Sequence, residues 1–141
     1  MNSKPPLTNP YTGIVPLFAR LARGSTIIPV YEDGEIIRDF VFIDDVAAAI
    51  AYVVRNGAPS TNAYDVGSGR AISVLHLATL IAQFYGAPKP HITGAFRDGD
   101  VRHASCDISA TRNDLTWAPM RSLEDGLQLL CGWIEDELAE L

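Results

Sequence analysis

The sequence predicts an α/β domain in which short strands alternate with amphipathic helices. Short runs of β-branched and aromatic residues are followed by stretches whose apolar residues recur at helical spacing, and Gly or Pro residues separate the two kinds of segment. The predicted order begins with helix, strand, strand, helix, strand, helix. The chain has 141 residues, of which 48% are hydrophobic. This is enough for one domain with a substantial core but not for two.

The first two predicted elements are a helix and a short strand. The first helix is predicted by apolar residues that recur at helical spacing, Ile14, Leu17, Phe18 and Leu21. Gly24 is expected to end this helix. The strand at residues 27–31 contains Pro29, which confines it to a sheet edge or to the start of a strand. Residues 32–34 are predicted to form a turn.

A continuous apolar run at residues 40–43 predicts the second strand. Such a run is typical of a strand that is covered on both faces. Arg38 and Asp39 lie at its entrance. After it, Asp44 or Asp45 can accept hydrogen bonds from the free N–H groups of the next turn and favours the positive end of a helix dipole. The strand is therefore predicted to pass directly into a helix.

This second helix is predicted to end near residue 56. Its apolar stripe consists of Val46, Ile50, Val53 and Val54. A short strand at residues 63–66 and a tight turn at residues 67–69 follow. They lead into a third amphipathic helix that ends at Gly86.

The remaining chain is predicted to contain a loop and two helices. Residues 87–102 carry two Pro and two Gly and are expected to be mostly loop. Asp107 is expected to cap a short helix that reaches Leu115. Residues 122–125, with Asp in place of the usual Glu or Gln, form a weak capping box for the last helix.

The overall charge restricts the class of ligand. The net charge is −6 and the isoelectric point is near 4.9, so the chain as a whole repels nucleic acid and anionic membranes. An anionic ligand must therefore meet a local basic cluster. Nine of the eleven basic residues are Arg, which favours phosphate recognition because the guanidinium fork pairs with phosphate in a bidentate manner.

The sequence also favours a cytoplasmic location. Two Cys are too few for a disulfide scaffold, and the N-terminal residues do not follow the order of a signal peptide. No apolar run approaches the length of about 20 residues that a membrane helix needs.

One Gly-rich segment resembles a dinucleotide-binding loop only superficially. Residues 67–72 follow a predicted strand and precede a predicted helix, but Ile72 stands at the third Gly position. No acidic residue lies about 20 positions further on, at the end of a second strand, to hold a ribose. The glycines are therefore predicted to allow the tight turn and not to bind a dinucleotide.

Two further catalytic patterns are rejected. Tyr85 and Lys89 have the Tyr-x-x-x-Lys spacing of short-chain dehydrogenases, but the Gly and Pro between them break the helix that this chemistry needs. His103 and Cys106 supply only two metal ligands, so no metal site is predicted. The sequence offers no self-contained catalytic group.

Two basic clusters remain as candidate binding groups. One is Arg38, and the other is Arg97 with Arg102, in a loop where Asp100 can accept hydrogen bonds. Together they could hold a diphosphate. The alternatives are that Arg38 pairs with a neighbouring Asp (Asp39 or Asp33) and that Arg97 is a solvated loop charge.

Several segments resemble one enzyme family in the family's own order. Residues 31–46 (Tyr-Glu-Asp-Gly, then Arg-Asp-Phe-Val-Phe-Ile-Asp-Asp-Val) are similar to the C-terminal half of the NAD-dependent epimerase/dehydratase family of extended short-chain dehydrogenases. Further matching segments are residues 8–13, 64–69, 97–100, 107–109 and 122–127. The resemblance extends from about residue 7 to residue 137. It is strongest toward nucleotide-sugar 4-epimerases of the UDP-glucose and dTDP-L-rhamnose kinds.

The resemblance implies a role for each candidate site residue. Arg38 and Arg97 would bind the diphosphate of a UDP- or dTDP-sugar. Asp100 would accept a hydrogen bond from the nucleotide ribose, and Pro29 with Tyr31 would line the base. Two Arg forks can neutralise a ligand charge that the acidic chain would otherwise repel.

The resemblance also implies that parts of such an enzyme are not in this chain. The expected fold is the C-terminal lobe of an extended short-chain dehydrogenase, without most of the NAD-binding Rossmann sheet. Residues 1–6 would be a disordered or non-native segment and residues 7–141 the nucleotide-sugar-binding domain. Residues 40–70 would pack on the missing Rossmann half. NAD and the catalytic Tyr and Lys would belong to that half, whose absence would expose apolar surface and allow self-association.

Three functions follow from this interpretation. The chain could be the substrate-binding portion of a nucleotide-sugar epimerase, inactive alone, in which NAD takes a hydride from the sugar and returns it at C4. It could instead be part of a nucleotide-sugar 4,6-dehydratase. It could also be a stand-alone binding or regulatory module that binds the ligand without turnover.

Overall fold

The structure is a computed structural model that describes residues 13–59 and 61–139, without the side chain of residue 138. The predictions for residues 1–6 and most of the segment 8–13 lie outside the described residues. The elements are α1 (Ile14–Arg23), β1 (Pro29–Val30), β2 (Ile37–Arg38), α2 (Ile43–Asn56), β3 (Ile72–Ser73), α3 (Val74–Tyr85), β4 (His91–Ile92), β5 (His103–Ala104), α4 (Ser109–Leu115) and α5 (Leu123–Ala139). The predicted α/β class is confirmed.

The chain divides into two compact units. Unit 1 comprises the described residues up to Glu35 together with Val74–Asp98. Unit 2 comprises Ile36–Ser73 and the described residues from Gly99 onward.

Unit 1 packs two helices beside a two-stranded parallel ribbon. Helix α1 lies against α3, and α3 contacts β1, while β1 pairs with β4 so that Pro29 lies opposite His91. Its buried apolar side chains are Phe18, Ala19, Ala22, Ile28, Val30, Val74, Leu77, Ala78, Ile81 and Ala82. Burial of this set supplies the apolar driving force that holds the unit together.

The predicted turn after β1 is confirmed and depends on a glycine. Gly34 has φ +84°, a conformation that disfavours other residues, and its carbonyl accepts a hydrogen bond from the Leu75 amide at 3.1 Å. A Cβ at this position would lie 2.9 Å from the Leu75 Cβ. The turn is therefore closed against the start of α3.

Unit 2 contains a three-stranded sheet with β2 in the centre. Strand β3 pairs with β2 in the antiparallel direction and β5 pairs with it in the parallel direction. Arg38 lies opposite Ile72 on one side and Ala104 on the other. The candidate arginine is thus on the central strand of this sheet.

A buried cluster packs helix α2 against α4 in unit 2. Its fully or nearly fully buried members are Ala49, Ile108, Leu115 and Trp117, and partly buried side chains surround them. The Trp117 indole N–H donates to the Asp45 carbonyl at 3.0 Å. The Asp45 carboxylate, which is 6% exposed, accepts hydrogen bonds from the amides of Met120 (3.0 Å) and Arg121 (3.2 Å).

The strand predicted at residues 40–43 is wrong. Strand β2 ends at Arg38 and helix α2 begins at Ile43, with Phe42 at its N-cap and no side-chain cap. The Phe42 ring packs closely on Gly126, since a Cβ added to that glycine would lie 3.1 Å from the ring. The Arg121 guanidinium lies 5.2 Å from the centroid of the same ring. Within the apolar run, Phe42 therefore packs against the start of α5, whereas Ile43 is exposed.

The capping role predicted for Asp44 or Asp45 is also wrong. The two carboxylates lie in the first turn of α2, where negative charge still complements the helix dipole. Asp45, however, uses its carboxylate oxygens on amides far along the chain, at residues 120 and 121.

The strand predicted at residues 63–66 is wrong as well. The Tyr64 hydroxyl donates to Asp114 at 3.0 Å, and the Asp65 carbonyl accepts from the Thr111 hydroxyl at 2.5 Å. This segment is thus bound to the α4 region instead of to a strand. The short strand β3 forms at residues 72–73, which the sequence pattern did not indicate.

The helix predictions are confirmed in their main features. Helix α1 is followed by Gly24 as its C-cap, α2 ends at Asn56 and α3 ends just before Gly86. The Ser122 hydroxyl accepts from the Asp125 amide at 3.0 Å, as predicted for a capping box. Helix α4 reaches Leu115 as predicted, but its N-cap is Ile108 without a side-chain cap, and Asp107 instead accepts from the amide of Ser109, the first residue of the helix, at 2.9 Å.

Helix α2 carries exposed apolar residues on the face opposite Ala49. Ile43, Ile50 and Val54 are 69%, 60% and 78% exposed, whereas Asp45 and Ala49 are buried. Of the four residues of the stripe predicted from the sequence, Ile50 and Val54 are exposed, whereas Val46 and Val53 are half-buried and Val53 packs on the buried cluster. Among the described helices, none combines the length and the apolar character that crossing a membrane requires.

Candidate functional site

Arg38 and Asp100 form an ion pair in unit 2. The Arg38 Nη2 donates to Asp100 Oδ1 at 3.1 Å, and its Nη1 donates to the Ile37 carbonyl at 2.7 Å. The two side chains are 26% and 37% exposed. The structure thus brings together two of the five predicted site residues, and Arg38 pairs with neither of the alternative partners, Asp39 and Asp33.

The ion pair leaves Arg38 accessible to a ligand. Pairs with this degree of exposure contribute about 0–1 kcal/mol, because water competes for both groups. The backbone of Arg38 is fixed by its place on the central strand β2. The guanidinium is therefore a fixed positive group whose carboxylate partner can be displaced at low cost.

Asp39 has a structural role that the sequence did not reveal. Its carboxylate accepts hydrogen bonds from the Ser68 amide at 2.7 Å and the Gly69 amide at 2.9 Å. The Cys106 thiol donates to the same carboxylate at 3.4 Å. A Cβ at Gly67 would overlap the Cys106 sulfur and lie 3.0 Å from Asp39 Oδ2. Asp39 thereby anchors the turn at residues 67–69 next to β2.

These contacts shift two pKa values in opposite directions. Burial by itself would raise the pKa of Asp39, but hydrogen bonds from the Ser68 amide and hydroxyl, the Cys106 thiol and the Gly69 amide together lower it. Burial, followed by the hydrogen bond to Asp39 and the negative charge of that residue, raises the pKa of the Cys106 thiol. The thiol therefore stays protonated and acts as a donor.

The lowered pKa of Asp39 predicts an acid dependence of stability. Since the folded-state pKa lies below the unfolded value of about 3.9, the contribution of Asp39 is fully present above that value and is lost as the pH falls through the folded pKa. Urea unfolding between about pH 6 and about pH 2 should show a free energy of unfolding that falls less steeply in Asp39→Asn than in the wild type. If the free energy of unfolding fell equally steeply with pH in both proteins, Asp39 would not be the source of the acid dependence.

The other three predicted site residues lie in unit 1. Pro29 is exposed at the start of β1, and Tyr31, directly after β1, is 40% exposed. The Glu32 amide donates to the Ala95 carbonyl at 2.8 Å, which ties the end of β1 to the loop that carries Arg97. Arg97 is exposed in that loop.

The Gly-rich turn and the Tyr85–Lys89 segment have structural surroundings that differ from those of the motifs they resemble. The Gly67–Gly69 turn does not fit a dinucleotide pyrophosphate, because the Asp39 carboxylate already occupies its Ser68 and Gly69 amides. Helix α3 ends at Tyr85, so Lys89 does not share a helix with it. Within the described residues, no group of three or more His, Cys, Asp or Glu is arranged to hold a metal ion.

Comparisons with known proteins identify related sequences over nearly the whole chain. The model of a family described as GDP-mannose 4,6 dehydratase matches residues 2–130. A dTDP-L-rhamnose 4-epimerase from Burkholderia thailandensis is 54% identical over 132 residues, which cover 94% of this chain and 36% of that protein. The chain therefore spans little more than a third of the length of this relative.

Solved structures show the same fold. A UDP-glucose 4-epimerase from Thermotoga maritima, determined with UDP-glucose, superposes with a TM-score of 0.82 at 30% identity and covers 92% of this chain and 42% of that one. MoeE5 in complex with UDP-glucose and NAD has a TM-score of 0.77 at 25% identity, covering 88% of this chain and 42% of that one. The matched part of this chain thus corresponds to about 40% of the length of each of these proteins.

Proposed function

Because this chain belongs to the NAD-dependent epimerase/dehydratase family, we propose that it is the nucleotide-sugar-binding portion of a nucleotide-sugar 4-epimerase. The resemblance predicted from the sequence is confirmed by that membership. The observation that carries the proposal is the similarity to a dTDP-L-rhamnose 4-epimerase across nearly all of the chain. That similarity favours an epimerase over a 4,6-dehydratase and over a binding module without a catalytic partner.

In unit 2, the proposed ligand group is the diphosphate of a UDP- or dTDP-sugar. Arg38 presents two guanidinium nitrogens, one paired with Asp100 and one with a backbone carbonyl. A diphosphate carries more negative charge than a carboxylate, so it can displace Asp100 from the weak ion pair. The displaced Asp100 is then an acceptor for a ribose hydroxyl of the same ligand.

In unit 1, the proposed contacts are with the base and the phosphates. Tyr31 and Pro29 are exposed on and just after β1, where an aromatic ring and a pyrrolidine ring suit the flat apolar face of a pyrimidine. Arg97 supplies a second guanidinium for the diphosphate. Local positive groups are required because the net charge of the chain, −6, opposes an anionic ligand.

We assign NAD to a different part of the enzyme. The turn at residues 67–69 does not fit the cofactor, and the relative is nearly three times as long as the aligned segment. When bound, NAD would supply the hydride acceptor for C4 of the sugar. This chain would position the nucleotide end of the substrate, and by itself it would not catalyse epimerisation.

The exposed face of α2 is the proposed docking surface for that NAD-binding part. Ile43, Ile50 and Val54 form a contiguous apolar stripe at helical spacing on a face that unit 2 leaves uncovered. An apolar face of this kind is costly in water. Residues 40–70 would then contact the nucleotide-binding sheet.

Replacing Arg38 with Ala, or Arg97 with Ala, is expected to weaken nucleotide-sugar binding by about 1.5–3 kcal/mol, the usual loss for a hydrogen bond to a charged group. Isothermal titration with UDP-glucose and with a dTDP-sugar measures the change. Arg55→Ala is the matched control, because Arg55 is an exposed arginine in the last turn of α2. Unchanged affinity in both the Arg38 and the Arg97 variants would reject the assigned site.

A further inference from the structure

A cavity of about 240 Å³ in unit 2 is lined by three arginines that the proposed function does not use. Arg70 comes from the segment before β3, Arg112 from α4 and Arg121 from the segment before α5. Three arginines from parts of the chain that are far apart in sequence thus line one cavity. They are three of the eleven basic residues of an acidic chain.

The walls of the cavity are held in place by hydrogen bonds. Asp39 binds the amides of Ser68 and Gly69, directly before Arg70. Asp45, which is buried, binds the backbone of Arg121 and of the residue before it. The Arg121 guanidinium lies 5.2 Å from the centroid of the Phe42 ring, a cation–π contact that orients it. The backbone beside Arg70 and at Arg121 is therefore held in place by buried or half-buried carboxylates.

The charge of the lining favours an anion. Within residues 13–59 and 61–139, the guanidinium groups of Arg70, Arg112 and Arg121 form no ion pair with a carboxylate. Glu124 and Asp125 also line the cavity, but they lie in the first turn of α5, where they complement the positive end of that helix. Three guanidinium groups therefore remain for a ligand.

From these observations we infer that the cavity binds the phosphate group of a small phosphorylated molecule. A phosphate monoester carries up to two negative charges and several acceptor oxygens, which match a group of guanidinium forks better than a single carboxylate does. The Ser122 hydroxyl, which accepts from the Asp125 amide, keeps its own proton for donation to such a ligand. Phe40, Ile72 and Leu123 offer apolar surface for the organic part of the molecule.

Titration of the chain with inorganic phosphate, at constant ionic strength set with sodium chloride, tests the inference. The wild type should bind phosphate, and Arg70→Ala and Arg112→Ala should each weaken binding about tenfold, as expected for loss of one charged hydrogen bond. Arg55→Ala, which removes an exposed arginine away from the cavity, should bind as the wild type does. Circular dichroism shows whether each variant is folded.

The outcomes separate this cavity from the proposed nucleotide-sugar site. The inference would be overturned if the folded wild type did not bind phosphate. It would also be overturned if Arg70→Ala and Arg112→Ala both bound phosphate as tightly as the wild type does. Loss of phosphate binding in Arg38→Ala instead would place the anion at Arg38 and would overturn it as well. Failure of nucleotide-sugar binding with phosphate binding retained would reject the proposed function alone.

Discussion

Replacing Gly67 with alanine is expected to lower the free energy of unfolding by about 3 kcal/mol, the scale of overpacking at a buried contact. A Cβ at this position overlaps the Cys106 sulfur and comes within 3.0 Å of Asp39 Oδ2. Relief of the overlap requires movement of the thiol or of the carboxylate that anchors residues 68 and 69. Urea unfolding followed by circular dichroism measures the change.

Two variants make the origin of this loss testable. Gly132→Ala is the matched control, because a Cβ there meets nothing within 4 Å and alanine favours the helix. Removing the sulfur in the double variant Gly67→Ala with Cys106→Ala should restore part of the stability, since neighbouring sites couple. A Gly67→Ala protein as stable as the wild type would contradict the packing described.

Replacing Asp45 with alanine is expected to cost about 3 kcal/mol of stability. Its carboxylate is 6% exposed and accepts from the amides of Met120 and Arg121, so truncation leaves two backbone donors without these acceptors. The Asp45→Asn variant keeps one acceptor oxygen, so its free energy of unfolding should fall by roughly half as much. Thermal or urea unfolding measures both variants.

The matched control for this prediction is the neighbouring acidic residue. Asp44 lies in the same first turn of α2 but is exposed, so Asp44→Ala should change stability by less than about 1 kcal/mol through the helix dipole alone. Similar losses in the Asp44 and Asp45 variants would show that charge at the start of the helix, not the hydrogen bonds to residues 120 and 121, accounts for the effect.

The helices were predictable because their signals are local. Apolar spacing placed α1 and α3, and the glycines at positions 24 and 86 marked their ends. The Ser122 cap was visible as a capping box of four consecutive residues. Family membership was likewise carried by short segments in a fixed order, and the comparisons confirm it.

The errors concern residues whose partners are distant in sequence. An apolar run such as residues 40–43 suits a buried strand, but here Phe42 packs against the region of Gly126 and the helix begins at Ile43. Asp45 has the sequence position of a cap, yet its partners lie 75 and 76 residues further on. No local pattern distinguishes these outcomes, because tertiary contacts override local preference.

In the candidate site, too, the residue with a local signal was predictable and the contacts with distant residues were not. Arg38 was identified from its place before the apolar run and from the family resemblance. Its ion pair with Asp100 spans 62 residues and depends on the parallel pairing of β2 with β5, two strands of two residues each. The anchoring role of Asp39 was not foreseen, although an Asp with a Gly-Ser-Gly turn further along the chain is a signal that could have suggested it.

Recognition of a nucleotide-sugar diphosphate by Arg38 predicts that the chain distinguishes UDP from uridine. Isothermal titration of the wild type should give at least about tenfold tighter binding of UDP than of uridine, since the diphosphate adds charged hydrogen bonds. In Arg38→Ala this preference should shrink by about the same factor. Equal binding of UDP and uridine by the wild type, or an undiminished preference for UDP in Arg38→Ala, would show that Arg38 does not bind the diphosphate.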